Sequence, residues 1–192
     1  MRKRILALIL ALGLLMTGCG TGMIPNPKTV DGGIPWENTW TNLGGMLGVE
    51  QPGGDFKLLS SNGRLEGMEI FYATWVCGEE TKTGDTSAFD GQIYLMAERC
   101  DTAEEARENL AQWQNQFAAQ TVTARRETAA GDCAIELVAY DCPDNGHFSR
   151  GITALWQRQE LVLVVDIACI EGLTLALDAT MEHFLGCIHY AD

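Results

Sequence analysis

Residues 149–170 read SRGITALWQRQELVLVVDIACI, and their interpretation decides the class of fold. Two β-rich runs, 149–158 and 161–170, flank Gln159-Glu160, a pair that fits a tight turn between antiparallel strands. The second run is apolar at alternate and intervening positions alike. A strand with two apolar faces belongs inside a sheet with cover above and below it. The expected architecture is therefore a sheet with helices packed on both sides.

Working outward, the runs RLEGMEIFYATWVC (64–77) and GQIYLMAERC (91–100) read as strands joined by a polar loop that contains glycine. DTAEEARENLAQWQNQFAAQ follows as a helix. Thr102 and Glu105 have capping-box spacing, and Ala106, Leu110, Trp113 and Phe117 form its apolar stripe. TVTARRET (121–128) and DCAIELVAYDC (132–142) are two more strands, and Asn145-Gly146 is a hairpin signal before residue 149. A last helix is expected over 173–186, with Leu173, Leu177, Met181, Phe184 and Ile188 on one face and Gly186 near its end. The order ββαββββα, with short connections, predicts an α+β domain whose largely antiparallel sheet has about six strands. Upstream, Trp36, Trp40, Leu43 and Leu47 recur at helical spacing in WENTWTNLGGML and predict a short helix over 36–47, weakened by Gly44 and Gly45. The domain spans 36–192, with sheet and helices over 64–188.

The helix TAEEARENLAQW, the strand pair VTARRETAAGDCAIELVAY and the segment TLALDATMEHFLGCI together resemble the PsbP-like superfamily in element order and hydrophobic pattern. That resemblance implies an antiparallel sheet with helices on its faces and a role in binding or assembly. It brings no catalytic residues with it, and fold analogy does not establish function.

The chain starts with Arg2, Lys3 and Arg4, then an uncharged apolar run from Ile5 to Met16. Twelve helical residues span roughly 18 Å against a hydrocarbon core of about 30 Å, too short for a stable crossing. Positive flank, short apolar run and small residues match an export signal. Met16-Thr17-Gly18-Cys19 resembles a bacterial lipoprotein signal, in which cleavage precedes the cysteine and its thiol carries diacylglycerol. Residues 1–18 are thus read as a signal peptide, Cys19 as the lipidated N-terminus and 19–35 as a flexible tether rich in Gly, Pro and polar residues. Plain secretion with an unmodified Cys19 is the rival reading. The expected location is the cell membrane, lipid-anchored and facing outside the cytoplasm.

Removing three signal cations leaves 10 of 13 basic side chains against 26 acidic ones, a net charge of about −16. Nucleic acid, which rewards clustered Lys and Arg, is an unsuitable partner. Beyond Cys19 the chain has Cys77, Cys100, Cys133, Cys142, Cys169 and Cys187. An even number in an exported chain points to disulfides, with buried free thiols as the alternative. Cys133 and Cys142 end one strand about 30 Å apart and cannot pair. Cys77 and Cys100 would lie at opposite ends of a hairpin. A last helix running back across the sheet brings Cys187 towards Cys133, so a Cys133–Cys187 bridge is the favoured pairing.

Catalytic signatures are missing. His147 has Ser149 and Asp144 nearby, but turn residues are the simpler reading. His183, Cys187 and His189 approach metal-ligand spacing, yet Gly186 should end the helix between them and no further ligand lies close by, so no metal is assigned. No catalytic residue, metal or cofactor is expected. The sequence points to a non-catalytic module that binds or assembles with a protein or envelope component. A small-ligand receptor with a cleft near Trp36 and Trp40, and a thiol-redox or hydrolytic enzyme, are the competing readings.

Overall fold

The computed structural model describes residues 40–64, 69–83, 86–117, 121–130, 133–141 and 147–190. The expected signal peptide, tether, Cys19, Trp36, Cys142, Asp144 and the Asn145-Gly146 turn lie outside the described residues. The elements are β1 (Trp40–Leu43), β2 (Leu47–Glu50), β3 (Lys57–Arg64), β4 (Ile70–Thr83), β5 (Thr86–Arg99), α1 (Ala103–Phe117), β6 (Thr121–Ala130), β7 (Cys133–Asp141), β8 (Arg150–Arg158), β9 (Leu161–Cys169), α2 (Leu177–Gly186) and β10 (Ile188–Tyr190).

The main sheet is antiparallel throughout, in the order β3-β4-β5-β9-β8-β7-β6. It has seven strands where about six were expected, because the polar run KLLSSNGR forms an additional edge strand, β3. The doubly apolar strand β9 sits between β5 and β8, as its sequence requires. Gln159 adopts φ 53° in the two-residue turn that joins β8 to β9.

Alternation along β9 divides its side chains between two cores. Leu163, Val165 and Ile167 face α2 and a small second sheet, together with Trp75, Ile93, Leu95, Ile152, Ala154 and Phe184. Val162 and Val164 face α1, with Ala106, Trp113, Met96, Leu155 and Val138. Thr102 caps α1: its Oγ1 accepts from the Glu105 N–H at 3.1 Å, while the Glu105 carboxylate accepts from the Asp101 N–H at 3.0 Å. The cap expected from this spacing is formed, while the return bond from Glu105 reaches Asp101, one residue before the N-cap.

The second sheet was not foreseen. It is three-stranded, β1-β2-β10, and it replaces the short helix expected over 36–47. A spacing of four residues between Leu43 and Leu47 fits one helix face, but Gly44 and Gly45 adopt φ 58° and 70°. Two consecutive left-handed residues make a hairpin turn rather than a helix, closed by the Met46 N–H donating to Leu43 O at 2.9 Å. A Cβ on Gly44 would also stand 2.7 Å from the Phe71 ring, so the turn can press onto the main sheet only without a side chain. The last helix starts at Leu177 rather than 173, and the chain then returns as β10 beside β2. Trp156 Nε1 donates to the Tyr190 hydroxyl at 2.8 Å, and the Arg158 guanidinium lies 3.8 Å from the Tyr190 ring centroid, which pins β10 to the main sheet.

β4 and β5 extend past the sheet. β9 pairs with β5 only from Gly91 to Arg99, whereas the β4–β5 ladder runs on to Thr83 opposite Thr86. The acidic stretch between them is thus a two-stranded ribbon where a loop was expected. At its root, Gly78 (φ 82°) forms a bulge against Asp90, whose Oδ2 accepts from the Glu79 N–H at 2.9 Å.

Candidate functional site

Trp40 opens β1, a strand where a helix was expected, and Trp36 lies outside the described residues. Cys77, Cys100, Cys133, Cys169 and Cys187 are all free thiols, so the Cys133–Cys187 bridge is not formed in this structure. Both residues nevertheless pack on the α2-side core, Cys187 buried and Cys133 at its margin. Cys77 and Cys169 flank Gly91 on opposite neighbouring strands. Two strand spacings separate their backbones by about 9.5 Å, beyond the roughly 7 Å that a disulfide spans. Burial, with Asp90 adding to it, pushes the Cys77 thiol up to about 11. Burial and Glu50 raise Cys187 as well. Such thiols stay protonated, the reverse of what a nucleophile or redox cysteine needs.

The histidines act as ties. His183 Nε2 lies 2.7 Å from Pro52 O, so this nitrogen carries the proton and donates it, holding the segment after β2 against α2. The Cys187 thiol donates to the His183 carbonyl at 3.4 Å and stands 4.0 Å from the ring, which is therefore not available to it as a base. His189 faces Glu50 at 3.3 Å in the small sheet. His147 Nε2 lies 2.6 Å from Phe89 O, and the Ser149 hydroxyl is directed to Cys169 O. Each partner of the candidate hydrolytic pair is thus engaged with a different backbone carbonyl. Among the described residues, no three His, Cys, Asp or Glu side chains come together as metal ligands.

The most concentrated polar arrangement lies elsewhere, on the α1 face of the main sheet. Pairing across the strands aligns Val138, Thr153, Asp166, Tyr94 and Thr74 in one lateral row. Asp166 is the charged residue in the middle of the apolar strand β9, and it is buried. Its Oδ1 accepts hydrogen bonds from Tyr140 OH and Thr153 Oγ1, each at 2.7 Å. Tyr140 reaches it across β8 because the intervening residue is Gly151, where a Cβ would come 2.4 Å from the phenol oxygen. On the other side, Tyr94 stacks on Tyr72 with ring centroids 6.0 Å apart.

The electrostatics follow from this enclosure. Burial raises the Asp166 carboxyl, and the bonds from Thr153 and Tyr140 oppose that rise without cancelling it. Tyr94 is raised by burial first, then by Tyr72 and Asp166. Burial is what favours the uncharged acid here, and the two donors on Oδ1 pull the other way. The sequence held half of this signal: one acid inside a doubly apolar strand is anomalous. Its partners were hidden, since Tyr140 and Thr153 meet it only through strand register.

No protein-family model and no curated protein matches the chain. Among solved structures, it is similar to the solution structure of cyanobacterial PsbP (CyanoP) from Synechocystis sp. PCC 6803. The identity is 7% and the TM-score 0.36, covering 62% of this chain and 86% of that one. Nothing about fold or function passes between them at that distance.

Proposed function

We propose that this chain is a membrane-anchored lipoprotein whose folded part faces outside the cytoplasm and serves as a non-catalytic binding or assembly module. Its partner would be a protein or a component of the envelope. The observation that carries the anchoring is Met16-Thr17-Gly18-Cys19 after a short apolar run with a basic start. A diacylated, further acylated cysteine supplies the two or more chains that stable anchoring takes. No described helix is long and apolar enough to cross a membrane. The non-catalytic part is supported by what the candidate groups do: His147, Ser149 and His183 are engaged with backbone carbonyls, and the thiols of Cys77 and Cys187 are raised.

Mass spectrometry of the protein from the membrane fraction tests the anchor. The expected N-terminal peptide starts at Cys19 and carries the mass of a diacylglyceryl group, and Cys19→Ser moves the protein into the soluble fraction. An unmodified Cys19 in the native protein overturns the lipoprotein reading. Crosslinking in intact envelopes followed by affinity capture tests the second part separately. A recurrent partner is expected, and repeated recovery of the bare chain counts against a binding module even if lipidation is found.

A further inference from the structure

We infer that Asp166 is a proton-operated latch for α1: the helix seats fully on the sheet while this carboxyl holds a proton and loosens when the proton leaves. The inference stands on the fold alone and does not depend on the lipid anchor.

The latch is built from the groups around Asp166. From β8 comes Thr153, from β7 Tyr140, and from β5 Tyr94 with Tyr72 of β4 stacked behind it. On the same face of the sheet α1 packs on β8 and β9, contributing Ala106, Leu110 and Trp113 to the cluster that contains Val138, the residue paired with Thr153. Of the charged groups on this face, Glu98, a second buried carboxylate, accepts from Asn109 at 2.8 Å, and Arg125 pairs with Glu136 near the β6 edge. None of these supplies a cation to Asp166. In the protonated form, Oδ1 is a carbonyl oxygen with two lone pairs, and Tyr140 and Thr153 fill both. Ionisation leaves a charge beside an apolar cluster, and the latch relieves it by admitting more water as α1 loosens from β8 and β9.

The sign of the effect follows from linkage. An exposed carboxyl titrates near 3.9. Asp166 is raised above that in the closed state, so the closed state binds more protons than the open one. Stability of the closed state is full below the exposed value and falls as pH rises towards the closed value, by up to about tenfold in equilibrium constant per pH unit. Above the closed value the loss levels off. Most surface acids in a folded protein give the opposite slope, so the contribution is distinctive.

Amide hydrogen exchange of the full chain between pH 4 and pH 9, with rates divided by intrinsic exchange, reads this directly. In the wild type, protection of the buried α1 amides falls with pH relative to Asp166→Asn, by up to about tenfold per unit, and then reaches a plateau. Asn keeps the carbonyl acceptor and cannot ionise, so its α1 protection lacks this component. Tyr140→Phe and Thr153→Val each remove a donor that favours the charged form, and the plateau should begin at higher pH in both. They decide the matter if Asp166→Asn fails to fold. Equal slopes in wild type and Asp166→Asn, an unmoved plateau in the donor variants, or a loss spread equally over β8 and β9 would overturn the latch.

Discussion

Asp166 depends on a glycine in the neighbouring strand. Tyr140 lies across Gly151, so Gly151→Ala places a methyl 2.4 Å from the phenol oxygen and 2.8 Å from the Ile167 carbonyl. The phenol must swing away, and the buried carboxyl loses a donor. Overpacking of this kind costs about 1–3 kcal/mol, to be read as a lower midpoint in urea with an unchanged slope. The thiols make a second prediction at this scale. With its pKa pushed up to about 11, the buried Cys77 should resist an alkylating reagent at pH 8 in the native protein and react promptly once denatured. Rapid native labelling would contradict both its burial and its raised pKa. Asp166 was visible in the sequence as an acid between Val165 and Ile167, yet its meaning was not. Hydrogen bonds between residues 13 and 26 positions apart exist only once strand register is fixed.

At the scale of elements, the best-read unit is α1, where cap and stripe agree. Thr102→Ala should cost about 1 kcal/mol by removing the acceptor for the Glu105 N–H, measurable by thermal unfolding. Serine at this position should restore most of the loss. The hairpin β8–β9 was equally legible, because a tight turn and a doubly apolar run are local signals. The small sheet was illegible for a physical reason. Leu43 and Leu47 are four apart, a spacing that serves a helix face or a hairpin closed by three residues. The φ values of Gly44 and Gly45 decide between them, and a glycine's sequence does not reveal the sign of its φ. β3 was hidden by its polar character, and β10 has only three residues, whose strand form comes from β2 rather than from any pattern of their own.

On the scale of the whole molecule, charge is the dominant property. With 26 acidic side chains in the sequence, the folded chain repels itself, and salt should stabilise it. Screening shortens from about 30 Å at 0.01 M to about 8 Å at 0.15 M ionic strength. The thermal midpoint should therefore rise across that range, and a flat or falling midpoint would show that the ion pairs Arg125–Glu136 and Arg126–Asp178 outweigh the repulsion. The second sheet also sets a schedule for folding. β2 is paired on one side by β1, three residues upstream, and on the other by β10, which is made after every other described strand. While the chain is synthesised from its N-terminus, β2 therefore waits with one open edge until Ile188–Tyr190 emerge. The first described hairpin to be made is among the last described parts of the protein to be finished.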